Sequence, residues 1–338
     1  VTSQNTNGRA NRMIELLWYR RSWLNWLFAP FAMLFALITS MRRYAYKKGI
    51  LPSYRASAPV IVVGNITVGG NGKTPVVLWL VELLTKAGYK PGVVSRGYGG
   101  KAPHYPYMLT PLSTAAESGD EPLLIYQRCG CPVAVAPKRA EAVQLLLEQA
   151  GVDIIVCDDG LQHYALQRDI ELVVMDGVRR LGNGWLMPMG PLRETASRMR
   201  NVMAVICNGG QARPDEIQMT LQPAPLCNVK TGRVAVVTGA VDAMAGIGHP
   251  PRFFNALLQQ GYALNQQVAY ADHQDFNAEE LRQRFARRPL IMTEKDAVKC
   301  RHFALDNWWY LPVTAQLPDG FAARLLAQLK ELKHGAGL

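Results

Sequence analysis

The chain of 338 residues lacks any cysteine pattern suited to a metal. Cys129, Cys131, Cys157, Cys207, Cys227 and Cys300 show no paired ligand spacing, and Cys129-Gly130-Cys131 is too tight for a zinc knuckle. They read as buried or incidental thiols in a reducing compartment. No internal repeat is evident, and no RNA- or DNA-binding motif accompanies the net charge of +11. Acidic residues are nearly missing from residues 1 to 58, where nine Lys and Arg face Glu15 alone, so most of the positive excess is local rather than spread over a binding face. No small-residue cleavage pattern precedes Arg42-Arg43, which disfavours a cleavable signal peptide. Val1 to Arg12 are polar, precede Met13, and read as an appendage ahead of it.

Charge is also missing from Trp23 through Met41. As a helix this stretch would run about 28 Å, close to the roughly 30 Å of a bilayer's hydrocarbon. Arg20-Arg21 and Arg42-Arg43 flank it, Trp18, Tyr19, Trp23 and Trp26 suit an interface, and Pro30 is expected to kink it. Basic residues on both flanks fit a segment dipped into one anionic leaflet better than one that crosses; a buried core helix is the other reading.

What the chain does have is Val60-Ile61-Val62-Val63-Gly64-Asn65 running into Gly69-Gly70-Asn71-Gly72-Lys73-Thr74. An apolar strand followed by a Gly-rich turn lets backbone N–H groups fold around phosphate oxygens, and a helix starting near Thr74 points its positive end at them. Lys73 would reach the β and γ phosphates, and Thr74 would ligate Mg²⁺. Thr67 stands where the strict pattern has its first glycine. Val76, Val77, Leu80, Val81 and Leu84 keep helical spacing afterwards, with Pro75 in a first turn that tolerates it.

Further apolar runs read as strands: Gly92 to Ser95, Val133 to Ala136, Asp153 to Cys157, Glu171 to Asp176 and Val202 to Cys207, with a helix over Glu141 to Gln149. Alternating strands and helices predict a parallel sheet covered on both faces. The segment 208–231 reads as a linker. Beyond it come strands Val234 to Gly239, Gln267 to Tyr270 and Leu290 to Thr293, with helices Arg252 to Gln260 and Ala278 to Arg287. The expected fold is α/β, a P-loop NTPase-like parallel-sheet domain over 59–207 with a smaller α/β domain over 232–334, preceded by a membrane-associated helical segment over 13–58.

Ligands of an open parallel sheet gather beyond the C-terminal ends of the strands. There the chain places Ser95-Arg96-Gly97-Tyr98-Gly99-Gly100, suited to phosphate, and Asp158-Asp159-Gly160-Leu161-Gln162-His163, whose acids suit Mg²⁺ or its water. Arg179-Arg180 and Pro191-Leu192-Arg193-Glu194 suit either an anionic group or a solvated loop. Gly119-Asp120-Glu121-Pro122 reads as a loop, and Asp272-His273 and Thr293 to Lys299 each follow a strand.

In order and number these blocks resemble the tetraacyldisaccharide 4′-kinase family of lipid A biosynthesis, from about Met13 to the end of the second unit. The resemblance implies transfer of the ATP γ-phosphate to the 4′-hydroxyl of a tetraacylated glucosamine disaccharide 1-phosphate, forming lipid IVA. It implies Asp120 as base, with His273 orienting or tuning it once the two domains close, and Lys73 as the third catalytic group. Gly69, Gly70, Asn71, Gly72, Lys73, Thr74 and Arg96 would hold ATP, while Thr74, Asp158 and Asp159 would hold Mg²⁺. Gln162, His163, Arg179, Arg180, Arg193 and Glu194 would surround the glycolipid. A monomer at the cytoplasmic face of the bacterial inner membrane, bound to its lipid and to no nucleic acid, is expected. A membrane-attached P-loop ATPase switch explains the loop, the acids and the basic start but leaves Asp272-His273 of the second unit and the arginine loops without a task.

Overall fold

The structure is a computed structural model and describes residues 17–19 and 22–335, the side chains of 333–335 excepted. The expectations for Val1 to Arg12, for a start at Met13 and for the Arg20-Arg21 flank lie outside the described residues. Packing of the backbone divides the chain into two compact units that interleave along the sequence. The first holds the chain up to Lys73, Asp153–Thr220 and the segment from Leu317; the second holds Thr74–Val152 and Leu221–Gln316.

In the first unit five strands lie side by side in the order Glu216–Pro223, Ala204–Asn208, Ile170–Asp176, Val60–Gly64 and Ile154–Asp158. Every pairing among them is parallel. The central ones bury nearly every residue, as β-branched runs do when both faces of a sheet are covered. Register sets Val63 beside Asp158, Gly64 beside Val173 and Asp176 beside Asn208. The strands therefore discharge their loops at one end.

The second unit carries a parallel pair, Pro91–Ser95 with Val133–Val135, edged by antiparallel Tyr107–Met108. It also carries a five-stranded sheet in the order Ala263–Ala269, Ala240–Ala245, Leu290–Thr293, Trp308–Leu311 and Cys227–Asn228. Only the last is antiparallel. Met244, Phe285, Leu290 and Trp308 fill one core beside this sheet, while Phe253, Phe254, Leu257 and Ile291 fill another.

Several boundaries depart from the sequence reading. Pro30 opens the helix Ala29–Lys47 rather than kinking it, because the preceding Trp23–Phe28 is a 3₁₀ turn and proline in a first turn costs no hydrogen bond. The segment 208–231 contains the strand Glu216–Pro223, whose one buried apolar anchor, Met219, gives too weak a pattern to read. Val234 to Gly239 is not the strand of the second sheet; Val234 and Val236 are exposed, and the buried run is Ala240–Ala245. Gly119 to Pro122 is not a loop but the start of the helix Asp120–Cys129, where Pro122 sits in the first turn and Asp120 and Glu121 complement the helix dipole.

Among the described residues one helical stretch, Trp23–Lys47, is long and apolar enough to cross a membrane by length and composition. It is not a core helix. Trp23, Trp26, Leu27, Phe31 and Met33 are each more than 60% exposed, and Asn25 and Ala32 are its buried positions. Its C-terminal part is fastened to the first unit through Tyr46 against Tyr164 and Arg43 toward Glu194.

Candidate active site

The loop after Val60–Gly64 is built on contacts that explain its odd first position. Thr67 is buried and accepts a 2.8 Å hydrogen bond from Asn71 Nδ2, so its hydroxyl holds the loop together where a glycine was expected. Asn208 Nδ2 donates to Asn71 O at 3.0 Å. Gly72 lies at φ +89°, and a Cβ there would come within 2.1 Å of Asn208 Nδ2, so the turn demands glycine both for its dihedral and for its space. Lys73 then opens the helix Lys73–Lys86, and Thr74 follows in the same turn.

Lys73 Nζ lies 3.6 Å from Asp159, and Arg193 Nη1 lies 3.4 Å from both carboxylate oxygens of that residue. Asp159 adopts φ +47°, while Asp158 ends its strand almost wholly buried. Among the described residues no three His, Cys, Asp or Glu side chains form a metal cage. That donor set suits Mg²⁺, which takes one or two carboxylates and completes its shell with water and substrate phosphates. A part-exposed carboxylate gripped by two cations can be released to a metal when phosphates take the cations.

The expected substrate residues differ in what holds them. Glu194 is buried and its carboxylate is shared among Gln162, Tyr164 and Arg198, with Arg43 at 4.0 Å. Burial first, and then the bond to Glu194, push the Tyr164 phenol up to about 12. Arg180 sits at φ +48° with its guanidinium on Glu216. Arg179 stacks over Tyr19 at 5.3 Å. His163 lends its backbone, its carbonyl accepting from Arg168. In the second unit Arg96 is exposed and makes no hydrogen bond or ion pair among the described residues.

Asp120 and His273, 153 positions apart, meet within the second unit: Nδ1 lies 3.1 Å from Asp120 Oδ1. The same oxygen accepts a 2.9 Å bond from the Glu121 N–H. Asp120 Oδ2 is buried and accepts no hydrogen bond among the described residues. Loop strain supports the placement, since His273 holds φ +59°, and its ring meets the edge of Tyr98 at 5.0 Å. Burial would raise the Asp120 pKa, but the His273 bond and the Lys295 charge outweigh it and hold the carboxyl below its ordinary value. Burial would lower that of His273, yet the bond to Asp120 holds it above the ordinary value. A carboxylate with one oxygen fixed and the other left bare is equipped to take a proton from a hydroxyl.

A phosphate loop, a paired acid after the neighbouring strand and an Asp–His pair at a helix start occur here in one order. The tetraacyldisaccharide-1-P 4′-kinase (LpxK) family profile matches that order over residues 24–330. The chain belongs to the tetraacyldisaccharide-1-P 4′-kinase family. It is 85% identical over 326 residues to the tetraacyldisaccharide 4′-kinase of Tolumonas auensis, covering 96% of this chain and 100% of the relative. Its identity to the Aeromonas hydrophila enzyme of that name is 61% over 334 residues, covering 96% and 98%. It is also similar to the crystal structure of an "apo" form of LpxK from Aquifex aeolicus in complex with ATP, with a TM-score of 0.75 and 25% identity, covering 90% of this chain and 99% of that one.

In this kinase the sequence reading missed several side chains that support the pair. Arg128 makes a two-pronged contact to Glu294 at 2.7 Å, joining the helices Asp120–Cys129 and Glu294–Cys300. Thr293 caps the second helix through Asp296, whose carboxylate also accepts from the Gly246 N–H. Thr293 to Lys299 was legible as a block of chemistry after a strand, but the cap's partner Gly246 lies 50 positions away and leaves no local signal.

Proposed function

We propose that this chain transfers the γ-phosphate of ATP to the 4′-hydroxyl of a tetraacyldisaccharide 1-phosphate, forming lipid IVA. The observation that carries the reading is the Asp120–His273 contact, because a P-loop protein that merely hydrolyses ATP as a switch has no need of a carboxylate kept ionised and held by a ring. Family membership over nearly the whole chain names the acceptor. The ATP in the Aquifex relative supports the donor.

A sugar hydroxyl is a weak nucleophile, so the reaction needs alignment, neutralisation of phosphoryl charge and a proton acceptor. Gly69, Gly70, Asn71 and Gly72 offer backbone N–H groups to the phosphates, and Lys73 and Arg193 offer positive charge. Thr74 with Asp158 or Asp159 would hold Mg²⁺, which supplies charge neutralisation at the β and γ phosphates. Asp120 Oδ2 takes the hydroxyl proton as the new O–P bond forms and the bond from the γ-phosphorus to the β,γ-bridging oxygen breaks, releasing ADP, while His273 keeps the carboxylate in register. Arg96 and Arg179 serve the two phosphate groups. Glu194 and Arg180 act through the loops they brace, and Gln162 and His163 line the glycolipid's approach. No second copy is needed; the kinase acts as a monomer.

The exposed apolar helix brings the enzyme to the cytoplasmic face of the inner membrane, where a four-chain substrate stays. Leu34 and Leu37 are more than half exposed on that helix. Each leucine inserted into lipid is worth about 1.5–3 kcal/mol, so changing both to Asp should lower recovery on anionic vesicles by at least about a hundredfold. ATP affinity should be retained. Sedimentation at the parental level would place the attachment elsewhere.

The reaction itself is tested by incubating the protein with γ-labelled ATP, Mg²⁺ and a detergent-dispersed tetraacyl disaccharide monophosphate. Label is expected in the lipid. ATP turnover that ignores added glycolipid and leaves the lipid unlabelled would favour the switch ATPase instead.

A further inference from the structure

Lys295 has no part in the reaction as described above, yet its ammonium is the centre of the charges around Asp120. It stands at the start of the helix Glu294–Cys300, which Arg128 and Glu294 fasten to the helix that begins at Asp120. Lys295 Nζ lies 3.0 Å from Glu121 Oε1, 2.9 Å from Asp272 Oδ1 and 3.3 Å from His273 Nε2. An ammonium has three N–H bonds to give, and those three contacts use them all. Asp120 Oδ2 lies farther away, at 3.8 Å.

We infer that Lys295 is a positioning residue for the phosphoryl transfer: by donating to His273 Nε2 it confines the neutral ring's proton to Nδ1, where it faces Asp120, and by its charge it keeps Asp120 ready to accept the hydroxyl proton. The inference rests on the reading of Asp120 as that acceptor. An ammonium cannot accept a proton from Nε2–H, so its hydrogen bond to that nitrogen requires a bare lone pair there. The ring's single proton must then lie on Nδ1 and be donated to Asp120 Oδ1. A neutral donor fixes the carboxylate without draining its basicity, whereas an imidazolium in the same place would stabilise the ionised acid and weaken it as a base.

The groups facing the ring pull its charge in opposite directions. Asp120, from its helix, and Asp272, from the same loop, favour the imidazolium; burial and Lys295 oppose it. Glu121 faces Lys295 rather than the ring. Tyr98 meets the ring by its edge. Lys299 adds positive charge toward Asp120 while pairing with buried Asp296 at 3.1 Å. Lys295 is thus the cation that contacts both members of the pair. Without it, both Asp120 and His273 hold a proton to higher pH.

Two measurements test this. In ¹⁵N-labelled wild-type protein, titrated upward until the ring signals lost in His273→Gln stop moving and the imidazole is neutral, those signals should show a protonated Nδ1 and a bare Nε2. A proton on Nε2 would overturn the inference, and this readout needs no Lys295 variant to fold. In Lys295→Met, kcat should drop about ten- to a hundredfold, with the KM for ATP unchanged, and the acidic limb of kcat/KM should move up by about one pH unit. Lys295→Arg should return the limb to its parental position. A folded Lys295→Met enzyme whose limb does not move, whatever its kcat, would make Lys295 a merely structural ion-pair partner and overturn the inference. Asp120→Asn separates the two readings: if it retains activity, the acceptor assignment fails, whereas the ring proton is located in the resting enzyme independently of turnover.

Discussion

Replacing Lys73 by alanine is expected to lower phosphoryl transfer about a thousandfold or more while leaving the fold close to its parental stability. The large effect follows from the proposed place of Lys73 beside the phosphoryl group, where charge is redistributed in the transition state. The small one follows from the surroundings. Lys73 Nζ meets Asp159 at 3.6 Å, but Arg193 holds both oxygens of that carboxylate, so the substitution leaves no unpaired acid. The structural loss should stay within about 1 kcal/mol, in the range of a part-exposed ion pair. Single-turnover kinetics with thermal melting of the same preparation reads both. A folded variant that phosphorylates at a near-normal rate would remove Lys73 from the phosphate site. Lys73→Arg should also be impaired, because a planar fork does not substitute for a compact ammonium in a tight turn.

The proposed phosphate site was legible because its signals are local. Val60 to Gly64 is apolar at every position, the turn glycines follow at once, and the strand ends carry Asp158 and Asp159 where a parallel sheet must discharge its loops. Thr67 at the first glycine position was an unexplained departure in the sequence, and its buried bond to Asn71 supplies the reason. The second unit was less legible for a matching reason. Its strand Ala240–Ala245 sets alanines among Val241, Asp242 and Met244 and buries all but Ala240, whereas the more β-like Val234 to Val237 run beside it has two exposed valines. The supporting shell of Asp120 draws on Tyr98, Glu121, Asp272 and Lys295, which only the fold assembles. Pairing of Asp120 with His273 was expected to await domain closure; it is already made, within one compact unit.

Asp120→Ala and His273→Ala are each expected to cut the chemical step by about 10²–10⁴-fold, the range of a positioned general base, and the double variant should be little worse than the poorer single one. Groups acting as one unit lose their whole effect when either is removed. Multiplied losses would instead give them separate tasks. ATP affinity should survive both changes, whereas removing a Mg²⁺ ligand at Asp158 or Asp159 should shift the metal dependence, so a Mg²⁺ titration of every variant sorts the acids. An Asp120→Ala enzyme rescued by raised Mg²⁺ would move Asp120 into the metal shell. Stability gives an independent reading of the same contact, with a sign fixed by linkage. The Asp120 pKa lies below its ordinary 3.8, so its contribution is present above that value and lost as pH falls through the depressed one. The His273 pKa lies above its ordinary 6.5, so its contribution is full below that value and lost as pH rises through the raised one. The pair therefore braces the fold best in mildly acidic solution, yet supplies its strongest base at higher pH, when the ring is neutral. His273→Ala should accordingly lower the melting temperature more at about pH 5 than at about pH 9, while its kinetic penalty should be larger at the alkaline end. Equal destabilisation at both ends would mean that the ring and the carboxylate do not share a proton-linked contact, and the assignment of Asp120 as a base tuned by His273 would fall with it.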